Sequence, residues 1–477
     1  MLSNSRSFFT RNTSVLSTFK QNIIRTKTGV FGAPKVVISP PKSISSFFSH
    51  RSIRSYSTGT LTTPLQSQIP VANAVTNATR SPISHRAVGW WLIGTSGLVF
   101  GIVVLGGLTR LTESGLSITE WKPVTGAIPP LNQSEWEEEF DKYKNSPEFK
   151  QLNSHITLEE FKFIFSMEWG HRLMGRTIGV LFVLPALYFW STGKLSRHVK
   201  WKVVGLTGLL GLQGAIGWWM VKSGLDEEQL LERKSKPTVS QYRLTTHLGA
   251  AFLMYLGVLW TGFEILNENK WTKGARSSNP QVIKTLFDQL QNPALKRIRS
   301  LSTGLLCLTF ITAMSGGMVA GLDAGLIYNT FPHMGDDWIP SQNELFSDVF
   351  SRVSDQSDLW WRNLLENPTT VQLVHRIMAT TTFFSVLALH MYTVKRKAII
   401  PKPAQKMLHT VMGVVSFQVA LGITTLIYLV PVPLAAAHQA GALALLTTVL
   451  AFCSRLKKPR PQTISYINKL MKEQLKK

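Results

Sequence analysis

Four of the eleven histidines in this 477-residue chain stand in a pattern that chemistry could use. His171 is followed by Arg172, and the same dipeptide returns 204 positions later as His375-Arg376. His247 finds its counterpart 191 positions later in His438. Two neutral imidazoles facing each other inside a four-helix bundle can grip a haem iron from both sides, the protein setting the axial ligands and the porphyrin supplying the chemistry. On a helix the residues three and four positions on share a face. After His247 these are Ala250 and Ala251; after His438, Gly441 and Ala442; after His171, Met174 and Gly175, with Gly179 a turn further; after His375, Met378 and Ala379. At least one small residue beside each imidazole leaves room for a flat macrocycle. A single helical histidine is most often a packing residue; four at matched positions argue for two haem sites.

One carboxylate breaks the symmetry. Glu168 precedes His171 by three residues, on the same helical side, and Arg172 lies at the four-residue spacing that pairs opposite charges. The residue three before His375 is Gln372. A carboxylate beside a haem edge can take a proton or stabilise a developing cation, whereas an amide cannot act as a base. The first site is then the reactive one and the second holds a haem that stays. The plain alternative has Glu168 capping its helix and neutralising Arg172. Arg172 and Arg376 are suited to haem propionates, while Arg176 fits snorkelling to the interface.

These residues need elements to hold them. Apolar residues gather in eight blocks, 88–109, 170–190, 203–221, 244–263, 301–320, 371–393, 407–430 and 434–452, each near the roughly 20 residues that cross about 30 Å of hydrocarbon. A soluble enzyme is excluded. The four histidines open the even-numbered blocks, which all start from the same side, so they share a depth. Beyond the histidines, Gly106-Gly107 with Glu113, Gly115 and Leu116 recurs 210 positions later as Gly316-Gly317 with Asp323, Gly325 and Leu326, and Gln213 and Gly217 recur as Gln418 and Gly422. The expected fold is all-α: a polytopic membrane protein of eight transmembrane helices, arranged as two tandem four-helix bundles related by an axis along the membrane normal.

Charge sets the orientation. The formal net charge is +24, but it sits on alternate linkers. Residues 1–87, 191–202, 264–299, 394–406 and those after Ser454 hold 35 Lys/Arg and 4 Asp/Glu; 110–167, 222–243 and 321–370 hold 13 and 22. Under the positive-inside rule both termini lie on the positive side. Basic residues at helix ends and in a leader give no support to a nucleic-acid partner. The leader, 1–56, is rich in Arg, Lys and Ser and lacks Asp and Glu, a mitochondrial transit composition. The expected organisation is therefore a transit peptide at 1–56, a matrix segment at 57–87, a first bundle at 88–263, a matrix linker at 264–300, a second bundle at 301–453 and a basic matrix tail at 454–477, with an amphipathic helix at 463–475. The 130–165 and 333–367 stretches are expected to fold over the outer mouths of the two sites. Cys307 and Cys453, the two cysteines, lie in apolar blocks, which excludes a disulfide scaffold or a cysteine-built metal site.

The strings Gly107-Leu-Thr-Arg-Leu-Thr-Glu-Ser-Gly-Leu-Ser117, Thr119-Glu-Trp-Lys-Pro-Val-Thr-Gly126, Glu168-Trp-Gly-His-Arg172, Gly321-Leu-Asp-Ala-Gly325, Tyr328-Asn-Thr-Phe-Pro332 and Val374-His-Arg376 resemble the heme A synthase family in its mitochondrial form, from about Val88 to Ser454. The resemblance implies oxidation of the C8 methyl of heme O to the formyl of heme A, for cytochrome c oxidase. It implies that His171 and His247 ligate substrate heme O beside catalytic Glu168, and that His375 and His438 ligate a resident heme b. It further implies heme O synthase, cytochrome c oxidase assembly factors and a mitochondrial ferredoxin-type electron carrier as partners, in the inner membrane, and leaves homo-oligomerisation and the oxygen source open. One departure stands out: bacterial members often carry a cysteine pair in the first outer loop, and 110–167 has none. Two rivals remain at this level, a di-haem b-type electron carrier and a transporter or scaffold with structural histidines.

Overall fold

The computed structural model describes residues 81–475 apart from residues 234 and 278. The expected transit peptide, and residues 57–80 of the segment after it, lie outside the described residues. Among those described, every regular element is helical: α1 (Arg86–Leu111), α2 (Gln133–Lys144), α3 (Leu158–Ser191), α4 (Arg197–Leu225), α5 (Glu227–Arg233), α6 (Gln241–Ala275), α7 (Gln281–Gln291), α8 (Leu295–Gly321), α9 (Gln342–Leu345), α10 (Leu359–Glu366), α11 (Pro368–Val394), α12 (Lys402–Ile427), α13 (Val432–Leu456) and α14 (Pro461–Leu475), joined by short 3-10 and π turns. Eight of them, α1, α3, α4, α6, α8, α11, α12 and α13, are long and apolar enough to cross a membrane.

Their pairing fits two tandem bundles. The first four pack as a ring, α1 on α3 and α6, α4 on α3 and α6; the last four repeat it, α8 on α11 and α13, α12 on α11 and α13. The rings meet along α1–α13, α6–α8 and α6–α13, so matched helices form the seam. Buried apolar side chains cluster toward the linker-rich, basic ends: Val88, Leu92, Phe182, Phe189, Val199, Val203 and Val258 in the first ring, Leu295, Ile298, Val386, Leu389, Leu408, Val449 and Phe452 in the second. The histidines occupy the opposite ends.

Several helices outrun their apolar blocks. α3 begins twelve residues before its block, in an amphipathic stretch whose Phe161 and Phe165 are buried. Thr157 caps it, accepting from the Glu160 backbone N–H at 3.3 Å while the Glu160 carboxylate accepts from the Thr157 N–H at 2.9 Å, a reciprocal capping box. His171 therefore lies in the fourth turn of α3, not at its opening. On the basic side, α6 runs to Ala275, and α7 occupies the linker expected to be open. The amphipathic tail helix is α14; its Ile467 packs with Ala275, Ile283 and Phe287. Glu264 and Glu268, acids on an otherwise positive face, are buried against Lys202 and Arg460 at 2.7 Å each. They neutralise the tail rather than oppose the charge pattern.

Glu113 and Asp323, the acids matched at the 210-residue offset, both adopt left-handed backbone (φ 51° each) where α1 and α8 end. The duplication extends to this turn. Asp323 then reaches across the seam to Arg110 at 2.7 Å.

Candidate haem sites and their carboxylate

Each of the four histidines lies against a glycine on the helix before it in its ring. A Cβ on Gly106 would sit 2.9 Å from Cε1 of His171, on Gly217 3.1 Å from His247, on Gly316 3.1 Å from His375 and on Gly422 2.9 Å from His438. Real Cβ atoms scarcely approach so closely, so the repeated glycines are seats for imidazole rings. Among the described residues Nε2 of all four has no hydrogen-bond partner, and no cluster of three or more His, Cys, Asp or Glu could hold a metal. Two free imidazole nitrogens per ring, with no third protein donor, suit a metal that brings its remaining ligands with it; a porphyrin does so.

One small neighbour serves otherwise than expected. A Cβ on Gly441 would lie 2.1 Å from Oε1 of Gln418, so this glycine makes space for an amide and not for a macrocycle. Gln418 donates through Nε2 to the His438 carbonyl, as Gln213 does to that of His247, both at 2.9 Å.

Glu168 is buried in the body of α3, and Thr157 makes the cap, so of the plain alternative the capping half fails and the neutralising of Arg172 stands. Its carboxylate accepts from the Ser117 hydroxyl at 2.7 Å, the Ile118 N–H at 2.8 Å and Arg172 at 2.6 Å. Arg172 also donates to the carbonyls of Ile118 and Glu120. The second ring copies this arrangement. Arg376 donates to the carbonyls of Tyr328 and Thr330, the residues 210 positions after Ile118 and Glu120. Where Glu168 accepts from the backbone of Ile118, Gln372 reverses the bond and donates to the Tyr328 carbonyl at 2.9 Å. Ser117 is replaced at the same offset by Ile327. The acid and its hydroxyl donor are thus present together in one ring and absent together from the other.

Ser117, whose hydroxyl holds the Glu168 carboxylate, is the site residue that histidine-led reasoning missed. Its signal was available, because the repeat aligns it with Ile327. Arg176 reaches the outer loop, donating to the carbonyls of Lys122 and Pro123 at 2.7 and 2.8 Å. Together the two arginines pin the first outer loop to α3, beside a cavity of about 330 Å³ lined by Ile118, Glu120, Trp169, Arg172 and Arg176.

Over this mouth lies the cap formed by α2, the turn Phe149–Asn153 and the first turns of α3, with Tyr143, Phe161 and Phe165 at its core. Glu148 is buried there and accepts from the Tyr143 hydroxyl at 3.0 Å. Burial away from water outweighs that bond and pushes the carboxyl from its ordinary 4.5 up to about 8. Folding therefore favours the protonated acid. Its contribution to stability is fully present below about pH 4.5, falls through the window between, and is lost above about pH 8. In the intact protein, hydrogen exchange across 133–165, corrected for intrinsic rate, should quicken from pH 5 to pH 8. Glu148→Gln should flatten that dependence; an unchanged pH profile in the variant would assign it elsewhere.

Fold and site together define a helical membrane protein whose eight long helices pack as two matched rings, each with two histidines seated on glycines, and with a buried carboxylate three residues before His171 where an amide precedes His375. The chain belongs to the cytochrome oxidase assembly protein family (COX15-CtaA), whose family model matches residues 89–450. It is 60% identical over 445 residues to "Heme A synthase COX15" of Saccharomyces cerevisiae, covering 93% of this chain and 86% of that one. It is 44% identical over 378 residues to "Heme A synthase COX15" of Homo sapiens, covering 79% and 84%. It is also 51% identical over 375 residues to the "Heme A synthase-mitochondrial ferredoxin fusion protein" of Schizosaccharomyces pombe, covering 78% of this chain and 60% of the fusion.

Proposed function

We propose that this chain oxidises the C8 methyl group of heme O to the formyl group of heme A, an oxidoreductase acting on a CH or CH2 group. The observation that carries the reading is the one-sided pair of Glu168 and Ser117, set against Gln372 and Ile327. Heme O is the substrate of the first ring, with His171 and His247 as its axial ligands. The methyl carbon loses electrons in two successive two-electron steps, and the four electrons leave to an external electron acceptor. When the added oxygen is water's, each step releases two protons, and the resulting gem-diol loses water to leave the aldehyde. Glu168 is the base that takes the proton from the attacking water. Ser117 and the Ile118 N–H hold one carboxylate oxygen, and Arg172 holds the other.

His375 and His438 are the residues that would hold a resident heme b, whose contribution when bound is one-electron storage. Arg172 and Arg376 are the contacts for haem propionates; Nε of Arg376 is buried with no partner, which leaves a donor for one. The charge alternation supports a mitochondrial inner-membrane protein with both termini in the matrix and a transit peptide at 1–56. The relative that carries a mitochondrial ferredoxin on its own chain supports a ferredoxin-type electron partner.

Pigment extraction from the purified full-length protein tests this. Cells that make heme O should yield protein carrying heme b together with heme O and its oxidised product heme A. Two unchanging heme b groups would make it an electron carrier, and no haem at all would make it a scaffold.

A further inference from the structure

The two rings differ in a second place. In the first, Nδ1 of His171 and Nδ1 of His247 are buried with no hydrogen-bond partner. In the second, Nδ1 of His375 lies 2.7 Å from the hydroxyl of Ser315, the residue next to its glycine seat. Ser315 is one residue before Gly316, and the matched position before Gly106 is Leu105, which offers nothing to bond. The direction of the bond follows from the serine. The hydroxyl also lies 2.7 Å from the Thr312 carbonyl, which can only accept; with its single proton given there, the serine oxygen accepts from Nδ1–H of His375. The proton therefore sits on Nδ1, and Nε2 presents its lone pair. Nδ1 of His438 also lies 3.2 Å from the Gln418 amide nitrogen, whose second N–H is left over after the bond to the His438 carbonyl, so only His375 has its proton placed by a serine.

We propose that Ser315 is a positioning residue that fixes the tautomer and strengthens the donor power of His375, and that the leucine in its place in the first ring leaves the haem there more loosely held. A hydrogen bond accepted from the distal N–H of a ligating imidazole orients the ring and raises its basicity, which favours the oxidised metal and tightens binding. One ring then keeps its haem while the other lets a substrate haem enter and leave. The proposal deepens the functional reading and rests on it, since it requires haem on both histidine pairs.

The test uses the full-length protein in detergent, with haem content, redox titration and haem transfer to apomyoglobin as readouts. Ser315→Ala should shift the midpoint potential of one of the two haems upward and speed loss of that haem about ten-fold or more, leaving the other unmoved. Leu105→Ser should do the converse, lowering the potential of the other haem and slowing its transfer. Both haems bound with potentials and transfer rates unchanged in both variants would overturn the proposal, and would leave the haem assignment standing. Absence of haem from the wild-type protein would instead overturn the functional reading beneath it. Should Ser315→Ala fail to fold, Leu105→Ser decides alone, a downward shift supporting the proposal and none refuting it.

Discussion

Glu168→Gln should lower heme A formation by about 100-fold or more while both haems stay bound. The magnitude is that of losing a positioned general base. The retention follows from the hydrogen bonds. The amide keeps one oxygen, which can still accept from Ser117 and the Ile118 N–H at the place where Oε2 now accepts them. What it loses is the acceptor for Arg172, which keeps its two loop carbonyls. The second ring carries this very substitution: Gln372 stands at the matched position, beside an arginine held by matched carbonyls. Haem extracted from the variant should be heme O or its alcohol. Heme A at the wild-type level would remove Glu168 from the chemistry. Ser117→Ala should fall on the same path with a smaller loss, since it deletes one donor and leaves the carboxylate.

The second large effect concerns the glycine seats. Gly106→Ala should empty the first site and leave the second filled, and Gly316→Ala should do the reverse. The added methyl would stand 2.9 Å from the His171 ring in one case and 3.1 Å from the His375 ring in the other. Each ring is closely packed, so it or its helix must move. With its first site empty, Gly106→Ala should abolish product with haem halved. Haem-to-protein ratios separate the pair: each variant should retain one haem per chain. Two retained haems, with product still formed, would mean that the seats are ordinary helix packing.

Much of this architecture could be read along the chain because a duplication writes it twice. The histidines, Gly106 with Gly316, and Glu113 with Asp323 recur at nearly fixed offsets, and the copies fold alike down to the left-handed turn. Apolar blocks located the eight long helices but not their ends. Residues 158–169 of α3 include Glu159, Glu160 and Lys162, which hide a helix whose aromatic face is buried by the outer cap and not by lipid. α7 was invisible for a related reason: it is short, and only packing against α6 and α14 gives it a buried face. The partners of Arg172, Arg176 and Arg376 depend on how the outer loops return to their helices, which spacing along the sequence cannot specify. Hence the loop carbonyls that all three arginines engage could not be foreseen, and the propionate role of Arg172 and Arg376 stays a proposal beside them. Ser117 lay in plain view beside Ile327, passed over because a loop serine carries no signal until its carboxylate partner is known.

The central claim is that paired imidazoles hold one iron in each ring. Electron paramagnetic resonance of the oxidised, purified protein, with haem quantified per chain, measures this directly. The wild type should show two low-spin signals of bis-imidazole character and two haems, and His247→Ala and His438→Ala should each remove a different signal. If either variant keeps both signals, or the wild type binds a single haem, the two-site account is wrong.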